Sequence, residues 1–297
     1  MKIVVTGSHG LIGSALVAGL EAGGDEVHRL VRGAPGPGEI AWDPREGRLE
    51  PADLEGVDGV VNLAGAGIGD QRWSESRKAV LVGSRVQGTK LLSRTLARLD
   101  RPPRVMLSAS AVGYYGDRGD EILTEQSGPG QGFLADLCRQ WEGATEEAEN
   151  AGIRVAHLRT GIVLARHGGA LAKQLPLFRL GVGGRLGSGR QYTSWITLGD
   201  DVAAIRFALG SDGLKGPLNL TAPNPVTNAE LSAAIGRALN RPSFVPVPAV
   251  ALRLVMGGQM TSEMLLSGQR AMPAALEAAG YRFSEADVGD ALRTTVG

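Results

Sequence analysis

The stretch Lys2-Ile-Val-Val-Thr-Gly-Ser-His-Gly-Leu-Ile-Gly13 decides how the rest of the chain is read. Ile3 to Thr6 is short, apolar and β-branched, which predicts a buried strand. Near Leu11 a helix begins that carries Ile12, Leu16 and Leu20 on one face. The glycines between them have separate tasks. Gly7 turns the backbone sharply, Gly10 lets a pyrophosphate approach the main chain, and Gly13 lets the helix pack closely on the strand. With Ser8, His9, Leu11 and Ile12 they form a turn whose free amides face an anion. A glycine triplet alone is a weak signal. Here a strand precedes it, a helix follows, and a second strand from Glu26 to Val31 completes a βαβ unit, so the stretch is expected to hold a dinucleotide.

The second strand ends at Val31-Arg32, where an NAD-selective site would place a carboxylate on the ribose. A cation there pairs with the 2′-phosphate of NADP instead, and the missing acid removes the hydrogen bond to the 2′-hydroxyl of NAD. NADP(H) is therefore the expected cofactor, set against a reading of Arg32 as a solvated strand end. Glu39 to Trp42 is a third strand, followed by Asp43, which either reaches the adenine edge or caps a turn. Val57 to Gly65 is a fourth strand delivering Asn62-Leu-Ala-Gly65 at its carboxyl end, which in a doubly wound sheet lines the ligand crevice. Asn62, Ala64 and Gly65 are thus expected against the cofactor. A long helix follows from about Ser74 to Leu99, with Val80, Val86, Leu91, Leu92 and Leu96 toward the sheet. Arg104 to Gly116 is a fifth strand running out into hydroxyls, and Ser110, Tyr114 and Tyr115 there are the candidate catalytic residues, since a Ser/Tyr pair can polarise a carbonyl or relay a proton. Turn chemistry for Ser110 and packing for the tyrosines stand as the alternatives.

Composition narrows the function classes. The 31 basic and 31 acidic residues balance, so no global field recommends nucleic acid or an anionic membrane, although balance leaves room for a local patch. The single cysteine, Cys138, excludes an internal disulfide, and scattered histidines suggest no metal site. The first strand starts at once, and the apolar run Phe244 to Met256 is shorter than a span and broken by Pro246, Pro248 and Arg253; a soluble cytoplasmic protein is the expectation. Oligomeric state stays open.

Taken together, Thr6 to Gly13, Asn62 to Gly65, Ser108-Ala-Ser-Ala-Val-Gly-Tyr-Tyr-Gly116 and Arg159-Thr-Gly161 resemble the extended short-chain dehydrogenase/reductases. Trp73-Ser-Glu-Ser-Arg-Lys78, Ser84-Arg-Val-Gln-Gly-Thr89, Gly187 to Gln191, Ser194-Trp-Ile196 and Asp200-Asp201 are similar to the NAD-dependent epimerase/dehydratase-like subgroup, whose members are named nucleoside-diphosphate-sugar epimerases. The tail, Arg241 through Phe283, resembles that subgroup's short C-terminal domain of unknown function. The resemblance covers essentially the whole chain. It implies a Rossmann sheet, with Ser108, Thr160 and Gly161 near the cofactor and the turn after Arg159 beside the nicotinamide.

Members of that superfamily carry Tyr-x-x-x-Lys on the helix that is here Gly132 to Glu142. Those two places are Leu134 and Cys138, which can neither move the proton nor supply the charge. The helical asparagine is also missing, with Ser84-Arg85 in its vicinity. Three readings survive: an NADP(H)-dependent oxidoreductase with substitute hydroxyls, a redox-neutral epimerase, and a non-catalytic NADP(H)-binding sensor or regulatory module. The architecture expected is α/β, a doubly wound parallel sheet over residues 1–164, rejoined by 198–222, with a smaller substrate-facing lobe from 165–197 and 223–297. In that lobe Gly181 to Gln191 is a second glycine-rich stretch whose Arg185 and Arg190 either clamp an anionic small-molecule substrate or belong to a surface loop. Asp200-Asp201 precede a helix and are expected to cap it.

Overall fold

The computed structural model describes residues 1–296. Its centre is an eight-stranded sheet that sorts β-branched, alternating segments into one layer. In chain order the strands are β1 (Lys2–Thr6), β2 (Glu26–Val31), β3 (Glu39–Asp43), β4 (Arg48–Leu49), β5 (Gly59–Asn62), β6 (Val105–Ala111), β7 (Arg154–Thr160) and β8 (Gly216–Leu220). Across the sheet they run β8-β7-β6-β5-β1-β2-β3-β4. Only the β3–β4 pairing is antiparallel. The winding reverses between β1 and β5, so a crevice opens at the carboxyl ends of those two strands.

Helices cover both faces. On one side α1 (Leu11–Ala22) and α6 (Leu198–Gly210) bury Leu16, Val17, Leu20, Ile205 and Leu209 against Ile3, Val5 and Leu107. On the other α2 (Glu75–Leu96), capped by the Ser74 hydroxyl, packs Leu91, Leu92 and Leu96 on Val4, Val60 and Met106. Val80 does not face the sheet as expected: it is exposed, and Leu81 takes the inward position one step along. Next come α3 (Phe133–Gly143), α4 (Glu146–Asn150), α5 (Gly169–Arg179), α7 (Asn228–Ala238) and α8 (Ala249–Met256). The lobe has its own core, where α5 and α7 bring Leu171, Leu175, Phe178 and Ile235 onto Trp195 and Leu292. A parallel strand pair, Ile162–Leu164 with Trp195–Thr197, joins it to the sheet.

The helix beginning at Leu198 is capped differently from the expectation. Thr197 is the N-cap and accepts from the Asp200 amide at 3.0 Å, since a hydroxyl at that place already satisfies the free donor. Asp200 turns to the C-terminal segment, where Oδ1 accepts from the Ser284 amide (2.8 Å) and Oδ2 from the Glu285 amide (3.1 Å). Asp201 is wholly buried with both carboxyl oxygens unpartnered, and burial pushes it up to about 8.

Candidate functional site

The glycine turn has the geometry that its residue types require. Gly7 sits at φ +66°, and a methyl group on it would come within 2.7 Å of the Leu63 carbonyl. One on Gly13 would stand 2.2 Å from the Gly7 oxygen, so helix and turn touch through bare backbone. Gly10 is the N-cap of α1 and provides no capping side chain, which leaves the first amides, from Leu11 and Ile12 onward, for an incoming anion. Ser8 is buried, while His9 lies exposed, 4.0 Å from Glu39. Leu11 packs on Gly168 and Gly169, and Ile12 on the sheet core.

Thr6, which sequence reasoning passed over, ties the two strands that flank the crevice. Its Oγ1 accepts from the Leu63 and Ala64 amides, each at 3.0 Å, and donates to Asn62 Oδ1 at 2.8 Å. Asn62 in turn donates to Thr89 (2.8 Å) and Ser108 (3.2 Å). Asn62 and Ser108 are therefore not cofactor contacts as expected but a sealed polar web beneath the crevice, each 1% exposed, because their hydrogen-bonding groups are spent on one another. Gly65 is exposed above it, while Ala64 and, at the end of β7, Thr160 and Gly161 are half-buried. Arg32 is exposed beyond β2. Asp43 caps its own turn, accepting from the Arg45 and Glu46 amides and pairing with Arg48, as the turn alternative expected.

The three expected catalytic hydroxyls do not form one group. Ser110 is buried and donates to Glu142 Oε1 at 2.6 Å. Glu142 is held by both arms of Arg159, Nε and Nη2 each donating at 2.8 Å. Arg159 Nη1 donates to the Tyr115 hydroxyl (3.0 Å), which donates to Asn219 Oδ1 (2.7 Å). Ser110 and Tyr115 thus belong to a buried ion-pair network joining β6, β7, β8 and α3. Tyr114 differs: its half-buried ring lies against the Arg159 guanidinium, 3.4 Å from ring centre to Cζ, and its hydroxyl has no partner among the described residues.

Leu134 and Cys138 lie where the resemblance puts tyrosine and lysine. Leu134 packs on Gly113, and buried Cys138, its thiol pushed up to about 11 by burial, faces the Ala111 carbonyl at 3.7 Å. Two charged groups stand close by: Arg85, which the sequence left as either a solvated residue or one projecting toward the crevice, and Glu263, which it did not single out. Arg85 lies over Trp141 (5.0 Å) and beside Gly65, where a methyl group would meet its Cζ at 3.1 Å. Burial lowers its pKa, the neighbouring Arg77 cation adds to this, and no carboxylate offsets it. Glu263 reaches across from the C-terminal lobe and accepts from the Leu134 amide at 2.9 Å. Ser84-Arg85 was noted in sequence only as lying in the vicinity of the missing asparagine; nothing in the local pattern marks Glu263. Arg185 and Arg190 are both exposed, with Arg185 donating to the Ser188 carbonyl at 2.7 Å. No group of histidine, cysteine and carboxylate residues suited to a metal occurs among the described residues.

With this geometry, comparison with known proteins is decisive at the family level. A family model described as NAD dependent epimerase/dehydratase family matches residues 3–220. The chain belongs to that family. The epimerase/dehydratase match covers the whole central sheet, and a second model, a domain of unknown function, matches residues 247–295. An epimerase family protein of Mycobacterium bovis is 48% identical over 291 residues, covering 98% of this chain and 96% of the relative. One from Bacillus subtilis is 34% identical over 98% of this chain and 97% of the relative. Among solved structures of the family, the human epimerase family protein SDR39U1 with NADPH superposes with a TM-score of 0.92 at 36% identity, covering 99% of each chain.

Proposed function

We propose that the chain binds NADP(H) across the β1–β5 crevice and acts as an oxidoreductase or an epimerase-like protein. The observation that carries this reading is the pairing of the uncapped α1 N-terminus with Arg85, a half-buried cation without a carboxylate partner beside Gly65 on the other side of the crevice. Those two features suit the phosphates of a dinucleotide, and exposed Arg32 suits the 2′-phosphate. The relative solved with NADPH supports the choice. When bound, the cofactor supplies hydride chemistry. The protein's own residues would hold the phosphates, shape the crevice and move a proton. Tyr114, with its unpartnered hydroxyl, and Glu263 at the Leu134 amide are the ionisable groups left for that last task.

Titration of NADPH and NADH into the protein by calorimetry tests the binding half. Arg32→Asp should weaken NADPH by about tenfold or more and leave NADH nearly unchanged, while Arg85→Met should weaken both. Equal losses of the two cofactors in Arg32→Asp would remove the 2′-phosphate assignment. A second reading has its own support, since Ser110 and Tyr115 are bonded into a buried network and unable to turn toward a substrate without breaking it. On that reading the chain binds cofactor and reports its state. Tight NADPH binding without oxidation across a broad carbonyl panel would favour it.

A further inference from the structure

The balanced net charge conceals an uneven distribution along the lobe, where the acids near two acid-free stretches include Asp70, paired with Lys173, and Glu263. No acidic residue occurs from Ala151 through Gly199, nor from Leu231 through Ser262. Those two stretches meet in space. Val247 donates its amide to the Arg185 carbonyl (2.8 Å), the Gly187 amide returns the bond to Val247 (2.9 Å), and a methyl group on Gly181 would lie 3.3 Å from Pro242. The same two stretches carry the exposed large apolar side chains of the described chain, apart from Met1, Val80 and Ile122. Phe244 is 81% exposed, Leu180 76%, Leu254 72%, Val255 70% and Val250 65%. Helix α8 buries none of its eight residues, an arrangement that leaves its aliphatic side chains in water unless something covers them. Exposed Arg179, Arg241 and Arg253 are interleaved with these side chains and have no carboxylate partner among the described residues.

We propose that this face docks on an anionic lipid surface, with Phe244 and the aliphatic side chains of α8 entering the interface and the arginines pairing with phosphate headgroups. The chemistry of the patch selects this occupant. Large apolar groups mixed with cations, and with no acids over two long stretches, complement a bilayer that presents hydrocarbon beneath negative charge. A second copy of the chain on a two-fold axis would bring the arginines against one another, so like charges oppose that contact. Nucleic acid would leave the aliphatic side chains unused, and Phe244 is the only large aromatic among the most exposed residues. No helix among the described residues is long and apolar enough to cross a membrane, so the contact is superficial. It would also sit close to the crevice. Arg72, on the loop leaving β5, donates to the Leu254 and Val255 carbonyls at the end of α8.

Vesicle flotation with the full chain tests the proposal, using phosphatidylcholine vesicles with and without phosphatidylglycerol. Binding is expected only with phosphatidylglycerol and should weaken as salt rises. Two triple variants, Phe244→Ser/Leu254→Ser/Val255→Ser and Arg179→Gln/Arg241→Gln/Arg253→Gln, should each reduce binding about tenfold or more. Their substitutions lie on the surface, and an unchanged melting temperature and NADPH affinity would show that fold and crevice are intact. The proposal is overturned by equal flotation of parent and both variants, or by no flotation on anionic vesicles. It is also overturned by a doubled solution mass that the apolar variant returns to monomer, or by capture of a polyglutamate probe without capture of vesicles.

Discussion

Glu142 shows how a single residue can change the meaning of its neighbours. Its carboxylate and the Arg159 guanidinium are 11% and 4% exposed, so each depends on the other for its charge. Glu142→Gln should therefore destabilise the fold by about 3 to 5 kcal/mol in urea unfolding, because Arg159 would stay buried without its anion. A loss below about 1 kcal/mol would mean that water reaches the pair. None of this was legible beforehand: Ser110 and Glu142 lie 32 positions apart, and Glu142 and Arg159 lie 17 apart, so no spacing rule joins them. Ser110 looked like an exposed hydroxyl at a strand end because only its own strand was visible. Asp201 carries a second test. Its folded-state value is raised to about 8 by burial, whereas the unfolded chain loses that proton near the ordinary carboxylate range. The folded chain thus keeps a proton that the unfolded chain has released, and stability falls as pH rises from about 4 to about 8. Asp201→Asn removes that dependence. Its advantage in unfolding free energy over the parent should be larger near pH 9 than near pH 5; an advantage independent of pH would sink the assignment.

At the scale of elements, what was legible followed from local chemistry. The second strand was expected at Glu26 to Val31 and is found there, and the glycine turn requires the small residues it has. Gly13→Ala should separate α1 from the turn, since the added methyl meets the Gly7 oxygen far inside contact distance. NADPH affinity should fall by more than tenfold with a loss of about 1 to 3 kcal/mol in stability, measured by calorimetry and thermal melting. Unchanged affinity would place the dinucleotide elsewhere. Ends of elements were less legible when their partners are distant. The α3 N-terminus begins at Gly132, which has no capping side chain, and Glu263 reaches it from 129 residues away. Cap rules look one turn ahead, so Asp200-Asp201 read as caps while Thr197 did the work and Asp200 bonded the tail.

For the whole molecule, the sheet and the lobe are coupled through a shared core, with Leu276, Tyr281 and Phe283 packed on the sheet side, and through polar contacts made by single residues. Asp200 is one of them, holding the Ser284 and Glu285 amides, while the Tyr281 hydroxyl donates to its carbonyl at 3.0 Å. Asp200→Ala should loosen the tail before the sheet. Hydrogen exchange should rise at Ser284, Glu285 and the terminal helix Val288–Val296, with β1, β5 and β6 still protected. Uniform loss of protection would show a single cooperative unit instead. The interior around Cys138 has a consequence of another kind, for redesign rather than for stability. Installing Leu134→Tyr and Cys138→Lys in the hope of a working dehydrogenase would put an ammonium into a buried niche beside Arg85 whose carboxylate, Glu142, is committed to Arg159. Cys138→Lys alone would bury an uncompensated charge, so a lysine could enter this niche only together with a carboxylate free to pair with it.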